Sequence, residues 1–511
     1  MPLIPGTDFN LQVTMKTKVK EISLALCLMA VLTVPFRASA ITDEDYFYAD
    51  VNGDGVVNIA DMVVVIDCIM ASTDSSVVPN PNINPGYVSA SEYGAVGDGV
   101  TDDTQALECL FEAAFRLKKA LYLNPGTYLI RRSLTLRSGL EVYGSEATIT
   151  KRKAVTTTLA DAAEKNQNYI DVVDASGFAV GDQFVIADPE DENWCTHAVV
   201  TRITGNRIHF LSVINDCQPA FLGCVRAYAQ GCEVSTSFAL LRSWTARFEC
   251  DGVAINDLTL DGNRVASEPV LSANSCIYLD AYYPGGFTDL SGIEYGNVQR
   301  KLAARHLSIK NSPGDGISDL SEGGLAVTDC VIENSARHGI HMGTSFNRAM
   351  ICSNTMTGNG AVGSAVFFSQ DVADVMMDNN VISSFKNGCA VDAADASVKY
   401  LLIRKNEFKG ILDEVFAFST ASAAPGGTLQ VSNNTIRGLN AMLFNGENMD
   451  GIVMAGNEVK TVTTLPQCAL RVVQCNNVIL SANKFPSSAS FSTPVIATGT
   501  TNIIQASNSW N

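Results

Sequence analysis

The chain has 511 residues, 46% of them hydrophobic and only 17% charged, which excludes a disordered polyelectrolyte and leaves room for a large core. Acidic residues number 53 against 35 basic, a formal net charge of −18. That excludes a general affinity for nucleic acid or anionic membranes, and it gives acidic polymers no attraction beyond what a local basic groove or bridging calcium would supply.

Met15-Lys16-Thr17-Lys18-Val19-Lys20 is a basic n-region, Ile22 to Val34 an apolar run, and Ala38-Ser39-Ala40 a small-x-small cleavage site. Together they predict a secretory signal peptide over 1–40 and a secreted protein: extracellular, cell-surface or periplasmic. Residues 1–14 fit none of its parts, so Met15 is an alternative start. The apolar run is too short for an ordinary transmembrane helix, and no later segment is apolar enough to span.

A calcium loop follows within 41–72. Asp50, Asn52, Asp54, Asn58 and Asp61 put oxygen-bearing side chains at loop positions 1, 3, 5, 9 and 12, Val56 offers its carbonyl, and Gly55 permits the sharp turn. Asp at position 12 and the dense Asn resemble a dockerin-type calcium repeat. The resemblance implies calcium as a cofactor and a cohesin-like or cell-surface partner. A single copy is also consistent with a calcium-stabilised spacer. Residues 73–90, rich in Ser, Pro and Asn, read as a linker.

The rest of the chain, 91–511, opens with Gly97-Asp98-Gly99-Val100-Thr101-Asp102-Asp103-Thr104 ahead of a helical pattern, then Asn124-Pro125-Gly126-Thr127-Tyr128 between strands. Asp102 or Asp103 is placed to cap the helix. This opening resembles the start of pectate-lyase-like right-handed β-helix proteins. It implies an all-β, right-handed parallel β-helix with a capping helix over its open end. Residues 151–250 break the repeat and read as a small inserted β-subdomain.

Two phrases then share one pattern 23 residues apart: Asn311-Ser312-Pro313-Gly314-Asp315-Gly316-Ile317-Ser318 and Asn334-Ser335-Ala336-Arg337-His338-Gly339-Ile340-His341. A fixed short period marks stacked supersecondary units. Stacking the copies as neighbouring windings sets Asp315 beside His338 and Ser318 beside His341. Asp-Gly-Ile also reads as ordinary turn chemistry, with the Gly after Asp315 expected to take a positive φ. A second column, Asn354, Asn380, Asn406, Asn434, Asn457 and Asn483, reads as an amide ladder with no catalytic role. Cys330 and Cys352 lie about one period apart and read as stacked thiols or a bridge.

Ionisable groups cluster in the repeated phrase: Asp315, Asp319 and Glu322 in one winding, His338 and His341 in the next. If Ile317 and Ile340 point inward, their polar neighbours point to the outer face. Paired carboxylates can protonate a glycosidic oxygen and activate water, and imidazoles tune or shuttle the proton. Arg337, Lys310 and Arg348 are candidates to bind an acidic sugar. Gly314-Asp315-Gly316 and Arg337-His338-Gly339 also resemble the paired motifs of polygalacturonases. The pattern departs from that family in having one Asp at the first motif and no Asn-Thr-Asp or Arg-Ile-Lys.

Three functions compete. The first is a polysaccharide hydrolase, with Asp315 or Asp319 as acid and another carboxylate as base, needing no catalytic cofactor. The second is a uronate lyase or epimerase, which needs a base at C5 and a cation for the carboxylate. The third is a non-catalytic glycan-binding or adhesive surface protein. Fold alone does not separate them.

Overall fold

The computed structural model describes residues 86–212, 223–243, 252–279, 287–288, 294–295, 300–320, 323–343, 347–360, 362–393, 398–420, 428–464, 468–486, 491 and 493–509. The predicted signal peptide and calcium loop lie outside them.

Short strands follow one another at tight corners and wind into a right-handed parallel coil of about 13 turns. Each strand pairs in parallel with its counterpart in the next winding. Around the repeated phrase one winding runs Arg300–Arg305, Ser308–Lys310 and Ile317–Asp319. The next runs Gly323–Thr328, Val331–Glu333 and Ile340–Met342, and a third Asn347–Cys352, Thr355–Thr357 and Ser364–Phe368. The third strands of the windings form an 11-stranded sheet, the face that carries the candidate site.

Period-two alternation decides which side chains of that sheet meet the core. Ile277, Ile317, Ile340, Val366, Cys389, Phe416, Phe444 and Leu470 lie in register, one per winding. Every one is fully buried, and each Ile, Val, Phe and Leu among them contributes about 1.5–3 kcal/mol by leaving water. The neighbouring column, Tyr278, Ser318, His341, Phe367 and Ala390, faces the other way.

The glycines of the repeated phrase serve closeness rather than handedness. A Cβ on Gly316 would sit 2.6 Å from the Gly339 carbonyl oxygen, and one on Gly339 2.6 Å from that of Ala365. Neither has a positive φ. The left-handed residues are Asn311 and Asn334, at φ 53° and 56°, which corrects the expectation for Gly. Asn tolerates that region better than other side chains.

Helix Thr104–Leu117 packs Leu107, Leu110, Phe111 and Ala114 onto the first windings. Asp102 takes the Thr104 N–H at 3.1 Å. The buried Asp103 turns back instead, accepting from Val96 and Gly97 N–H at 2.7 and 3.0 Å. A six-stranded sheet between Thr156 and Ser235 stands apart from the coil. Its own core includes Ile170, Phe184, Ile186, Val200 and Phe210. Fully buried Lys151 and Glu268, 2.9 Å apart, are paired beside it.

The Asn column is an amide ladder. Each Oδ1 accepts the backbone N–H and side-chain amide of the Asn one winding earlier, as Asn406 does from Asn380 at 2.9 and 2.8 Å. Asn508 extends the ladder at one end. At the other, Cys330 takes an Asn's place: its Sγ accepts Leu307 N–H at 3.4 Å and its own N–H donates to Asn354 Oδ1 at 2.9 Å. Cys352 pairs in register with Thr328 rather than stacking on Cys330, and both thiols are free. Among the described residues no helix is long and apolar enough to cross a membrane.

Candidate functional site

Three consecutive windings build the site. Ser318 and His341 are register partners, and Phe367 follows His341. Asp315 lies just before its strand, at the corner. Its Oδ1 accepts the His338 backbone N–H at 3.0 Å and its Oδ2 lies 3.3 Å from His341 Nδ1. The side-by-side placement expected from the repeat is therefore observed.

Burial and electrostatics divide the roles. Asp315 is fully buried, and His338 and His341 are 9% and 6% exposed. Burial pushes the Asp315 carboxyl up, but the hydrogen bond from His341 and the neighbouring His341, His338 and Arg337 side chains outweigh it. They hold the carboxyl well below the usual range. His338 goes the other way from an ordinary imidazole. Burial, opposed by Asp315 and reinforced by His341 and Arg337, lowers it to about 3. Its Nδ1 accepts the Ser364 N–H at 2.9 Å, so the neutral ring carries its proton on Nε2.

His341 is held on both nitrogens. Nδ1 faces Asp315 and also Ser272 Oγ at 3.2 Å. Nε2 lies 2.9 Å from Ser369 Oγ. Arg337 Nη1 donates to Ser272 Oγ, which brings a half-buried guanidinium to the same cluster. The carboxylate at Nδ1 favours the tautomer in which Nδ1–H donates to Asp315, which turns the Nε2 lone pair toward Ser369. The arrangement can take a proton from a hydroxyl or water at Nε2 and return it.

The remaining candidates part company with this cluster. Asp319 was expected on the outer face as the alternative acid. Standing two residues after Ile317, it falls back into the inward column with Leu279, Met342 and Phe368, and it is buried. The lowered carboxyl of Asp315 suits a positioning role better than the acid role expected of it. Lys310 lies on another face of the coil, 3.5 Å from Asp261. Arg348 is exposed on that other face too, 3.6 Å from Asp374. Glu322, and the calcium ligands Asp50, Asn52, Asp54, Val56, Asn58 and Asp61, lie outside the described residues.

Sequence reasoning missed Ser272, Phe367 and Ser369. The signal for the latter two was present: extending the column from Ile340 to Val366 puts Phe367 beside His341 and Ser369 just beyond. That winding is longer than the preceding one, so the copied phrase does not recur there.

A family model described as rhamnogalacturonase A/epimerase, pectate lyase-like matches residues 87–213, and one described as right handed beta helix region matches residues 291–459. The two stretches are thus similar to a pectate lyase-like family and to right-handed β-helix regions, each over less than half of the chain. A stretch of 57 residues is 37% identical to a non-secreted LysM effector of Penicillium expansum, covering 11% of this chain and 4% of that protein. Similar solved structures include the A-module of a mannuronan C-5 epimerase from Azotobacter vinelandii, at 12% identity over 82% of this chain and 96% of that one, TM-score 0.42. A Family 28 exopolygalacturonase from Yersinia enterocolitica matches at 12% identity over 83% and 78%, TM-score 0.43. A surface protein and adhesin of Streptococcus pneumoniae matches at 12% identity over 83% and 97%, TM-score 0.39.

Proposed function

We propose that the protein is a secreted enzyme that hydrolyses a polysaccharide or oligosaccharide on the flank of its β-helix, with His341 as the proton-transferring group and Asp315 as the residue that positions it. One observation carries this reading. His341 is clamped at Nδ1 by a buried, ionised carboxylate while Nε2 faces a half-buried hydroxyl. A base of this kind typically contributes about 10²–10⁴-fold to a hydrolytic rate. The pectate lyase-like family match over residues 87–213 supports a carbohydrate substrate. Calcium at Asp50 to Asp61 belongs to this proposal as a stabilising or docking module for a cohesin-like or cell-surface partner. Incubation with pectins, fructans and host glycans tests the reading: new reducing ends or other hydrolysis products, lost in His341→Ala, are expected. Binding without product is the outcome of a purely adhesive protein and would overturn it.

A second reading has one observation in its favour. Arg337 donates to Ser272 Oγ, the same hydroxyl that lies 3.2 Å from His341 Nδ1. A guanidinium beside the His341 base suits proton abstraction next to a uronate carboxylate, as elimination or epimerisation requires. Its mark is an unsaturated, ultraviolet-absorbing product or an inverted C5 in place of hydrolysis.

A further inference from the structure

We propose that Ser369 is a nucleophile, that Ser369, His341 and Asp315 form one proton relay, and that the substrate is an ester-bearing polysaccharide from which the site removes acyl groups. This rests on the reading of His341 given above and adds the atom that attacks and the bond that breaks.

The three residues come from three successive windings. Ser369 Oγ lies 2.9 Å from His341 Nε2, and His341 Nδ1 lies 3.3 Å from Asp315 Oδ2. Hydroxyl, imidazole and carboxylate thus stand in the order that activates a serine, a constellation recognised by geometry rather than by chain order or fold. Each member is fixed from outside the relay. Asp315 Oδ1 is held by the His338 N–H at 3.0 Å. The Ser369 N–H donates to the Met342 carbonyl at 3.1 Å. Gly343 lies alongside: a Cβ there would stand 3.2 Å from Ser369 Oγ and 2.4 Å from Leu320 Cδ2, so glycine leaves the hydroxyl's flank clear.

The site also offers a donor to an oxyanion. Because His338 Nδ1 accepts the Ser364 N–H, its Nε2–H is a standing donor, on a ring whose centroid is 5.6 Å from that of His341. A preorganised donor of this kind stabilises the charge of a tetrahedral adduct.

An ester is the bond for which this relay is most nearly complete. A glycosidic oxygen must be protonated as it leaves, a part His341 would have to play, whereas an ester carbonyl needs only the relay. Ser369 Oγ adds to the carbonyl carbon while its proton passes to His341 Nε2. The adduct collapses, the bond from acyl carbon to sugar oxygen breaks, and His341 returns the proton to the departing sugar hydroxyl. Water then attacks the acyl-serine by the same route, giving a free carboxylic acid and regenerating Ser369.

The test uses the full chain with acetylated pectin and acetylated xylan, measuring released acetate and reducing ends side by side, together with labelling by a fluorophosphonate read by peptide mass. Acetate release is expected, reduced by about 10²-fold or more in Ser369→Ala, with a single phosphonate adduct on Ser369 that does not form in His341→Ala. Reducing ends that persist in Ser369→Ala but vanish in His341→Ala overturn the serine while leaving the proposed hydrolysis standing. Activity unchanged in both variants overturns both. Labelling of the unaltered chain needs no folded variant: failure to modify Ser369, with no acetate released, overturns the proposal by itself.

Discussion

His338 lies flat on Phe367, with ring centroids 4.1 Å apart and planes 6° from parallel. Burial lowers its pKa from 6.5 to about 3, and the Ser364 N–H on Nδ1 occupies the nitrogen that a second proton would need. The unfolded chain therefore binds a proton at this position that the fold refuses between those two values. Its contribution is fully present above pH 6.5 and lost as pH falls toward 3, by up to about 1.4 kcal/mol per pH unit. His338→Asn keeps an acceptor for Ser364 but does not titrate. Urea unfolding at about pH 4 and about pH 7 is expected to show a smaller loss of stability on acidification in the variant than in the unaltered chain. An equal loss would show that His338 is not held neutral.

Asp315 fixes the tautomer of His341. Asp315→Asn replaces an acceptor with an amide whose N–H₂ favours the ring with Nδ1 unprotonated, which puts the proton on Nε2 and removes the base. Asn still accepts the His338 N–H, so the fold is expected to survive. Activity should fall by about 10³–10⁴-fold in kcat with little change in KM. The variant also loses the stabilisation of an ionised, hydrogen-bonded carboxylate, which is present above the unfolded carboxyl pKa and lost as pH falls through the depressed folded value. A kcat within a few-fold of the unaltered chain would separate Asp315 from the reaction.

Much of this was legible in the sequence. The 23-residue copy fixed the pairing of Ile317 with Ile340 and Ser318 with His341, because a register is set once the buried face is known. The Asn spacing gave the ladder, because an amide that both donates and accepts is satisfied by its own copy above and below. Exposure was not legible. Outward from the core does not mean open to water, and the segment around Ser272 reaches His341 from 69 residues away in the chain. Asp319 departs from the expectation for a local reason: two residues after Ile317, strand alternation returns its side chain to the buried face. Ser369 escaped because its winding is not a copy of the phrase that drew attention.

The amide ladder makes its own prediction. Asn406 accepts twice from Asn380 and donates to the Met377 carbonyl and to Asn434 Oδ1, both at 3.0 Å, and it is buried. Asn406→Ala strands those partners away from water and is expected to cost about 2–4 kcal/mol. Denaturant unfolding measures it. A cost under about 0.5 kcal/mol, typical of a surface change, would mean the ladder is ornamental.

Calcium binding is expected at residues 50–61 of the full chain. Titration calorimetry should give one site, with affinity falling about tenfold or more in Asp54→Ala or Asp61→Ala, since each removes a charged oxygen ligand. Chelation should leave His341-dependent activity intact if calcium serves only docking or stability. Unchanged binding in both variants would place the ion elsewhere.

The most direct test of the central claim compares turnover of a polysaccharide substrate by the unaltered chain and by His341→Ala, with melting temperatures recorded for both. The account predicts a loss of about 10²-fold or more at a near-native melting temperature. Turnover within twofold of the unaltered chain, on a folded His341→Ala protein, would contradict it.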